Sequence, residues 1–158
     1  MKQKPKEILG YIINGLTIII YFALLFILDI PPALRILQYM GWILLVGGVV
    51  FILLSILSLL RKNPDSVIIS GVFGMVRHPM YLGSILIYLA MALFLPHWIM
   101  ITLSIINVIY IYWFMVWEEK ENIEKFGDDY DRYLESIPRT NFMTGITRKI
   151  NKKARREI

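Results

Sequence analysis

The chain contains no cysteine and only two histidines, His78 and His97, among its 158 residues. Without cysteine there is no disulfide framework, no thiolate nucleophile and no sulfur-ligated metal site. The two histidines stand at opposite ends of one apolar run, so no transition-metal centre is expected. Glycine is present but does not gather into a phosphate-cradling loop. Gly47-Gly48 lies inside an apolar run, where a close helix contact is the natural reading. Charge is also scarce. Only 18% of residues are charged against 57% hydrophobic, and the mean hydropathy is +0.60. A water-soluble domain of this size needs more polar surface than that. The charges moreover avoid long stretches of the chain, which points to lipid as the solvent.

Four apolar runs carry this reading. Residues 8–28 are interrupted by Asn14, Gly15 and Thr17 and stop at Asp29 and Pro31-Pro32. Lys2, Lys4 and Lys6 precede the run. Its length and the lack of a small-residue cleavage site argue for a retained span, not a signal peptide. Residues 39–60 follow, closed by the turn-forming stretch Arg61-Lys62-Asn63-Pro64-Asp65-Ser66. Residues 80–95 end at Pro96-His97, and residues 98–117 run directly into Glu118-Glu119. A bilayer core needs roughly 20 apolar residues per helical span. Strand alternation is absent, and a continuous apolar run satisfies its backbone in lipid as a helix. The expected fold is therefore all-α: a polytopic bundle of about four transmembrane helices.

Lysine and arginine sort around these runs. The amino terminus holds Lys2, Lys4 and Lys6, and the second loop holds Arg61, Lys62 and Arg77. Ten more basic residues follow Trp117. The first loop has only Arg35, and the third has none. The positive-inside rule then places both termini and the second loop in the cytoplasm. Trp42, Trp98, Trp113 and Trp117 lie mostly near span ends, as interfacial aromatics do. Beyond Trp117, the apolar residues Ile123, Phe126, Tyr130, Tyr133 and Ile137 recur at helical spacing among charges. This predicts a cytoplasmic amphipathic helix, broken at Gly127. Residues 1–141 read as a single membrane domain, and 142–158 as a basic tail suited to anionic lipid, with no nucleic-acid partner needed to explain it.

The third and fourth runs form a hairpin, so their inner ends are neighbours. One carries Arg77-His78-Pro79-Met80-Tyr81-Leu82-Gly83 and the other Glu118-Glu119. Pro79 suits a helix start, where its missing N–H would be unpaired anyway. Either end alone reads as an ordinary interfacial flank; together they suggest a site. Helical spacing puts Tyr81, Ser84 and Tyr88 on one face and Asn107, Ile111 and Glu118 on another. Ser84 and Asn107 read as interhelical hydrogen-bonding groups, Tyr81 as a pocket residue and His97 as an interfacial loop residue.

These residues resemble a known signature. Gly71-Val72-Phe73, the Arg77 to Gly83 segment, Glu118-Glu119, then Lys125-Phe126-Gly127-Asp128-Asp129-Tyr130-Asp131-Arg132-Tyr133 and Ile137-Pro138 are similar to the integral-membrane methyltransferases. The isoprenylcysteine carboxyl methyltransferase family and the related phospholipid N-methyltransferases are the nearest in pattern, and the resemblance covers residues 66–141. It implies an enzyme that uses S-adenosylmethionine to methylate a lipophilic acceptor among membrane lipids, in the manner of the isoprenylcysteine carboxyl methyltransferases, with phospholipid N-methylation as the alternative. It assigns cofactor contacts to Phe73, His78, Pro79, Met80, Tyr81, Leu82, Gly83 and Glu118, and more loosely to residues 65–68. Arg77, Glu118 and Glu119 are the expected catalytic residues, with Glu119 or a tyrosine as base if the acceptor is an ammonium. Two departures stand out. Phe73 replaces the usual tyrosine, and Phe114 occupies the position of the substrate arginine in the isoprenylcysteine enzymes.

Two other readings compete. Membrane sterol reductases using NADPH share an Arg-His-Pro-x-Tyr element, but their chains are much longer. A small transporter would be expected to carry an ionisable residue deep in a span, and none of the four runs has one.

Overall fold

The computed structural model describes residues 5–28, 34–60, 67–141 and 147. Lys2, Lys4, Asp29, Pro31-Pro32, the 61–66 turn and nearly all of the basic tail lie outside the described residues. Among the described residues five α-helices follow in chain order: α1 (Pro5–Ile27), α2 (Arg35–Leu60), α3 (Pro79–Phe94), α4 (Trp98–Phe126) and α5 (Asp128–Ser136). A short 3-10 turn, Gly71–Gly74, precedes α3. Among the described residues every regular element is helical, as the absence of strand alternation requires.

Two of these helices, α2 and α4, are long and apolar enough to cross a bilayer. In the most apolar stretch of α2 only 11% of residues are buried, and in that of α4 28%. The core helix of a soluble protein would be mostly covered. Here isoleucine, leucine and valine face outward along most of α2, including Ile43, Val46, Leu53, Leu57 and Leu60. A helix apolar on every side needs lipid or protein around it. Helix α3 has 16 residues, about 24 Å at 1.5 Å per residue, which is shorter than a typical hydrocarbon core.

The chain divides into two compact units. The first comprises residues 1–47 and 85–113, and the second residues 48–84 and 114–158. In the first unit, polar side chains, most of them buried, hydrogen-bond across helices. The Tyr88 hydroxyl donates to Asn14 Oδ1 at 2.6 Å. Asn107 Nδ2 donates to Thr17 Oγ1 at 2.7 Å, and the Ser104 hydroxyl donates to the Tyr88 carbonyl. An unpaired amide or hydroxyl would be costly in an apolar interior, so these pairs fix helix register. His97 accepts a hydrogen bond at Nδ1 from the Ile99 N–H.

In the second unit the chain turns back after α4. That helix does not stop where the apolar run meets Glu118; it continues to Phe126 and ends at Gly127, whose φ is +56°. A Cβ there would meet nothing, so the glycine is required by its left-handed backbone alone. Asp128, Asp129 and Asp131 occupy the first turn of α5, where negative charge complements the helix dipole. The break at Gly127 falls where the sequence pattern places it. Tyr130 and Tyr133 are the buried face of α5, and its exposed side carries the Asp129–Arg132 ion pair.

Candidate functional site

The second unit gathers the polar residues singled out from the sequence. Pro79 is the first residue of α3 and is fully buried. The two residues before it, Arg77 and His78, are held by the segment after α5: the Arg77 N–H donates to the Pro138 carbonyl at 3.0 Å, and the His78 N–H to the Arg139 carbonyl at 3.2 Å. The Tyr133 hydroxyl donates to the Phe73 carbonyl at 2.8 Å. Burial pushes the Tyr133 phenol well above its ordinary range, so the hydroxyl stays protonated and keeps donating. The returning chain thus pins both the 3-10 turn and the start of α3.

Glu119 lies at the centre. It follows the apolar part of α4 and is 5% exposed, as is His78. Its Oε1 is 3.1 Å from His78 Nε2, 3.4 Å from Arg77 Nη1 and 3.0 Å from Arg139 Nε. Its Oε2 accepts from Arg139 Nη2 at 2.5 Å. Burial alone would raise this carboxyl. The hydrogen bonds from His78 and Arg139, with the charges of Arg77 and Arg139, outweigh burial and hold it at about 2.

Glu118 differs from its neighbour. Its side chain is 38% exposed, and its Oε2 lies 3.7 Å from His78 Nδ1. That oxygen is itself buried and has no hydrogen-bond partner among the described residues; the same holds for Arg77 Nε. A buried acceptor on Glu118 and a buried donor on Arg77, of opposite charge, therefore stand unsatisfied. Buried polar groups are normally paired, and such a set suits a ligand carrying both a donor and an acceptor. Aromatic rings continue from His78: Tyr81 at 5.5 Å, then Phe114 at 5.9 Å from Tyr81, then Trp117 at 5.1 Å from Phe114.

The structure therefore brings together Arg77, His78, Pro79, Tyr81, Glu118 and Glu119, with Phe73 joined through its carbonyl to α5. Met80 and Leu82 are half-buried on α3, and the Leu82 N–H donates to the His78 carbonyl. Gly83 faces α2. A Cβ on it would stand 2.6 Å from the Gly48 carbonyl oxygen and 2.8 Å from Ile52 Cγ1. Of the looser 65–68 segment, Asp65 and Ser66 lie outside the described residues. Val67 lines a shallow groove of about 400 Å³ with Ile69, Asp129, Arg132, Tyr133 and Ser136. No group of three or more acidic or histidine residues able to hold a metal occurs among the described residues. Sequence reasoning missed Arg139. A lone arginine after Ile137-Pro138 carries no spacing signal, and only the fold brings it to Glu119.

A helical membrane protein with an ion-paired cluster at the end of its apolar helices is the class these features define. The sequence profile of the phospholipid methyltransferase family matches residues 19–129, and the chain belongs to that family. It is accordingly a membrane methyltransferase. Neither the curated proteins nor the solved structures gave a match.

Proposed function

We propose that this protein transfers a methyl group from S-adenosylmethionine to a lipophilic acceptor that approaches from the bilayer. The observation carrying this reading is the unsatisfied pair beside His78: buried Glu118 Oε2 and buried Arg77 Nε. The methyl donor presents an ammonium, a carboxylate, hydroxyls and a sulfonium. Glu118 and His78 Nδ1 match its donor and cationic groups, and Arg77 matches its carboxylate. Held by Glu118, His78 and Arg77, the donor would supply an electrophilic methyl carbon to an acceptor already in its deprotonated form. The protein's part is then placement: holding the acceptor in line and keeping water away.

For the acceptor, Phe114 is the informative residue. It sits between the Tyr81 and Trp117 rings, where the isoprenylcysteine enzymes place an arginine. The Phe114 ring itself offers no hydrogen bond to a carboxylate, whereas its π face favours an amine or its methylated cation. A phospholipid amine is therefore preferred to a prenylcysteine carboxylate. In this reading the chain makes four spans, with both termini, Glu118-Glu119 and α5 on the cytoplasmic side, and residues 1–141 act as one functional domain.

The deciding experiment is calorimetric titration of the purified protein with S-adenosylmethionine and, separately, NADPH. Binding of the first, weakened about tenfold or more in Glu118→Gln, is expected from loss of a charge-assisted contact. Binding of NADPH alone would replace the methyltransferase reading of the site with a reductase one.

A further inference from the structure

We propose that Arg139 is a positioning residue that orients the His78 ring through Glu119, so that His78 Nδ1 is presented to the ligand side of the site. This rests on the reading that His78 and Glu118 receive the methyl donor.

Arg139 holds His78 at two points. Its carbonyl accepts the His78 backbone N–H at 3.2 Å. Its guanidinium grips both Glu119 oxygens, at 3.0 and 2.5 Å. This two-point fork fixes the plane of the carboxylate, which a single contact would leave free to turn. Glu119 Oε1, placed in that way, is the atom 3.1 Å from His78 Nε2. A carboxylate held at about 2 has only acceptors to offer at neutral pH. The hydrogen of this contact must therefore belong to Nε2. The opposite nitrogen, Nδ1, is left facing Glu118 Oε2 at 3.7 Å, the buried oxygen that lacks a hydrogen-bond partner.

The same geometry assigns Glu119 its task. Two guanidinium groups and an imidazole surround its oxygens, so it anchors the ring and does not take up a proton. Without Arg139, the carboxylate keeps Arg77 at 3.4 Å but loses the fork, and the imidazole loses its fixed acceptor. The segment after α5 is thereby coupled to the site, although Arg139 lies outside the residues that match the family profile.

The test uses nitrogen NMR of the full-length protein in nanodiscs with ¹⁵N-labelled histidine. The chain has two histidines, and His97, in the other compact unit, serves as an internal reference. In the wild type, His78 should carry its hydrogen on Nε2. In Arg139→Gln the His78 nitrogen resonances should move toward a mixture of ring forms, His97 should not move, and S-adenosylmethionine affinity should fall roughly tenfold, the scale of one hydrogen bond to a charged group. Arg139→Lys keeps the charge without the fork and should fall between the two; it carries the test if the glutamine variant does not fold. Unchanged His78 resonances in both variants overturn the positioning role, even if affinity falls. A wild-type protein that does not bind S-adenosylmethionine sinks the methyl-donor reading instead, and the His78 resonances then decide the role of Arg139 alone.

Discussion

Gly83 on α3 and Gly48 on α2 approach so closely that a Cβ on Gly83 would lie 2.6 Å from the Gly48 carbonyl oxygen. No side-chain flexibility can relieve a clash with backbone, so the helices themselves would have to separate. Gly83→Ala is expected to destabilise the protein by about 1–3 kcal/mol, the usual range for overpacking. It should also weaken ligand binding, because Gly83 stands one turn from Pro79 and Met80. Thermal unfolding in detergent checks the first effect. A variant as stable as the wild type would mean that the contact is looser than the geometry indicates.

The Glu119 carboxyl gives a pH dependence with a definite sign. Its value is lowered from an ordinary 4.5 to about 2 in the folded protein. A lowered carboxyl contributes stability that is fully present above about 4.5 and is lost as pH falls toward 2. The shift corresponds to about 3 kcal/mol. Melting temperature should therefore drop between pH 5 and 3 more steeply for the wild type than for Glu119→Gln, which cannot titrate there. Parallel curves for the two proteins would contradict the ion-paired geometry.

Tyr133 tests the tie between α5 and the 3-10 turn. Tyr133→Phe removes the donor to the Phe73 carbonyl and leaves the packing in place. A loss of about 1 kcal/mol is expected, accompanied by faster amide exchange in residues 71–78. Unaltered exchange there would show that the turn does not depend on α5.

Topology is open to direct measurement because the chain has no native cysteine. Single substitutions Trp98→Cys and Glu124→Cys fall near opposite ends of α4, and both positions are exposed. With a membrane-impermeant maleimide on intact cells, the first should label and the second should label only after permeabilisation. Labelling of both from the same side would refute a spanning α4 with its carboxyl end in the cytoplasm.

Much of the architecture is written in local chemistry. Runs of aliphatic residues uninterrupted by charge make helices in lipid because no other structure pairs the backbone there, and Pro79 and Gly127 mark a start and a stop for steric reasons intrinsic to those residues. The sequence pattern was less informative at the end of the fourth run. Glu118 closes the apolar stretch but not the helix, since charged residues continue an α-helix readily once outside lipid, and α4 runs on to Phe126.

Residue identity also marked most of the cluster: Arg77, His78, Glu118 and Glu119 stand out because charge and histidine are scarce in this chain, and Tyr81 because it completes the Arg-His-Pro-x-Tyr segment. What distinguishes them from one another is tertiary. Residue chemistry alone, without the family resemblance, does not tell two adjacent glutamates apart. The turn of α4 aims Glu119 inward against Arg77, His78 and Arg139, and leaves Glu118 partly exposed with one unsatisfied oxygen. Arg139 has no local signature at all. The sequence by itself determined the solvent, the helices and the candidate residues, through hydropathy and backbone sterics that act over a few residues. The tertiary structure decided which carboxylate is buried in ion pairs and which one stays partly exposed with an unsatisfied oxygen, because that depends on groups 20 to 41 positions apart meeting within hydrogen-bond distance.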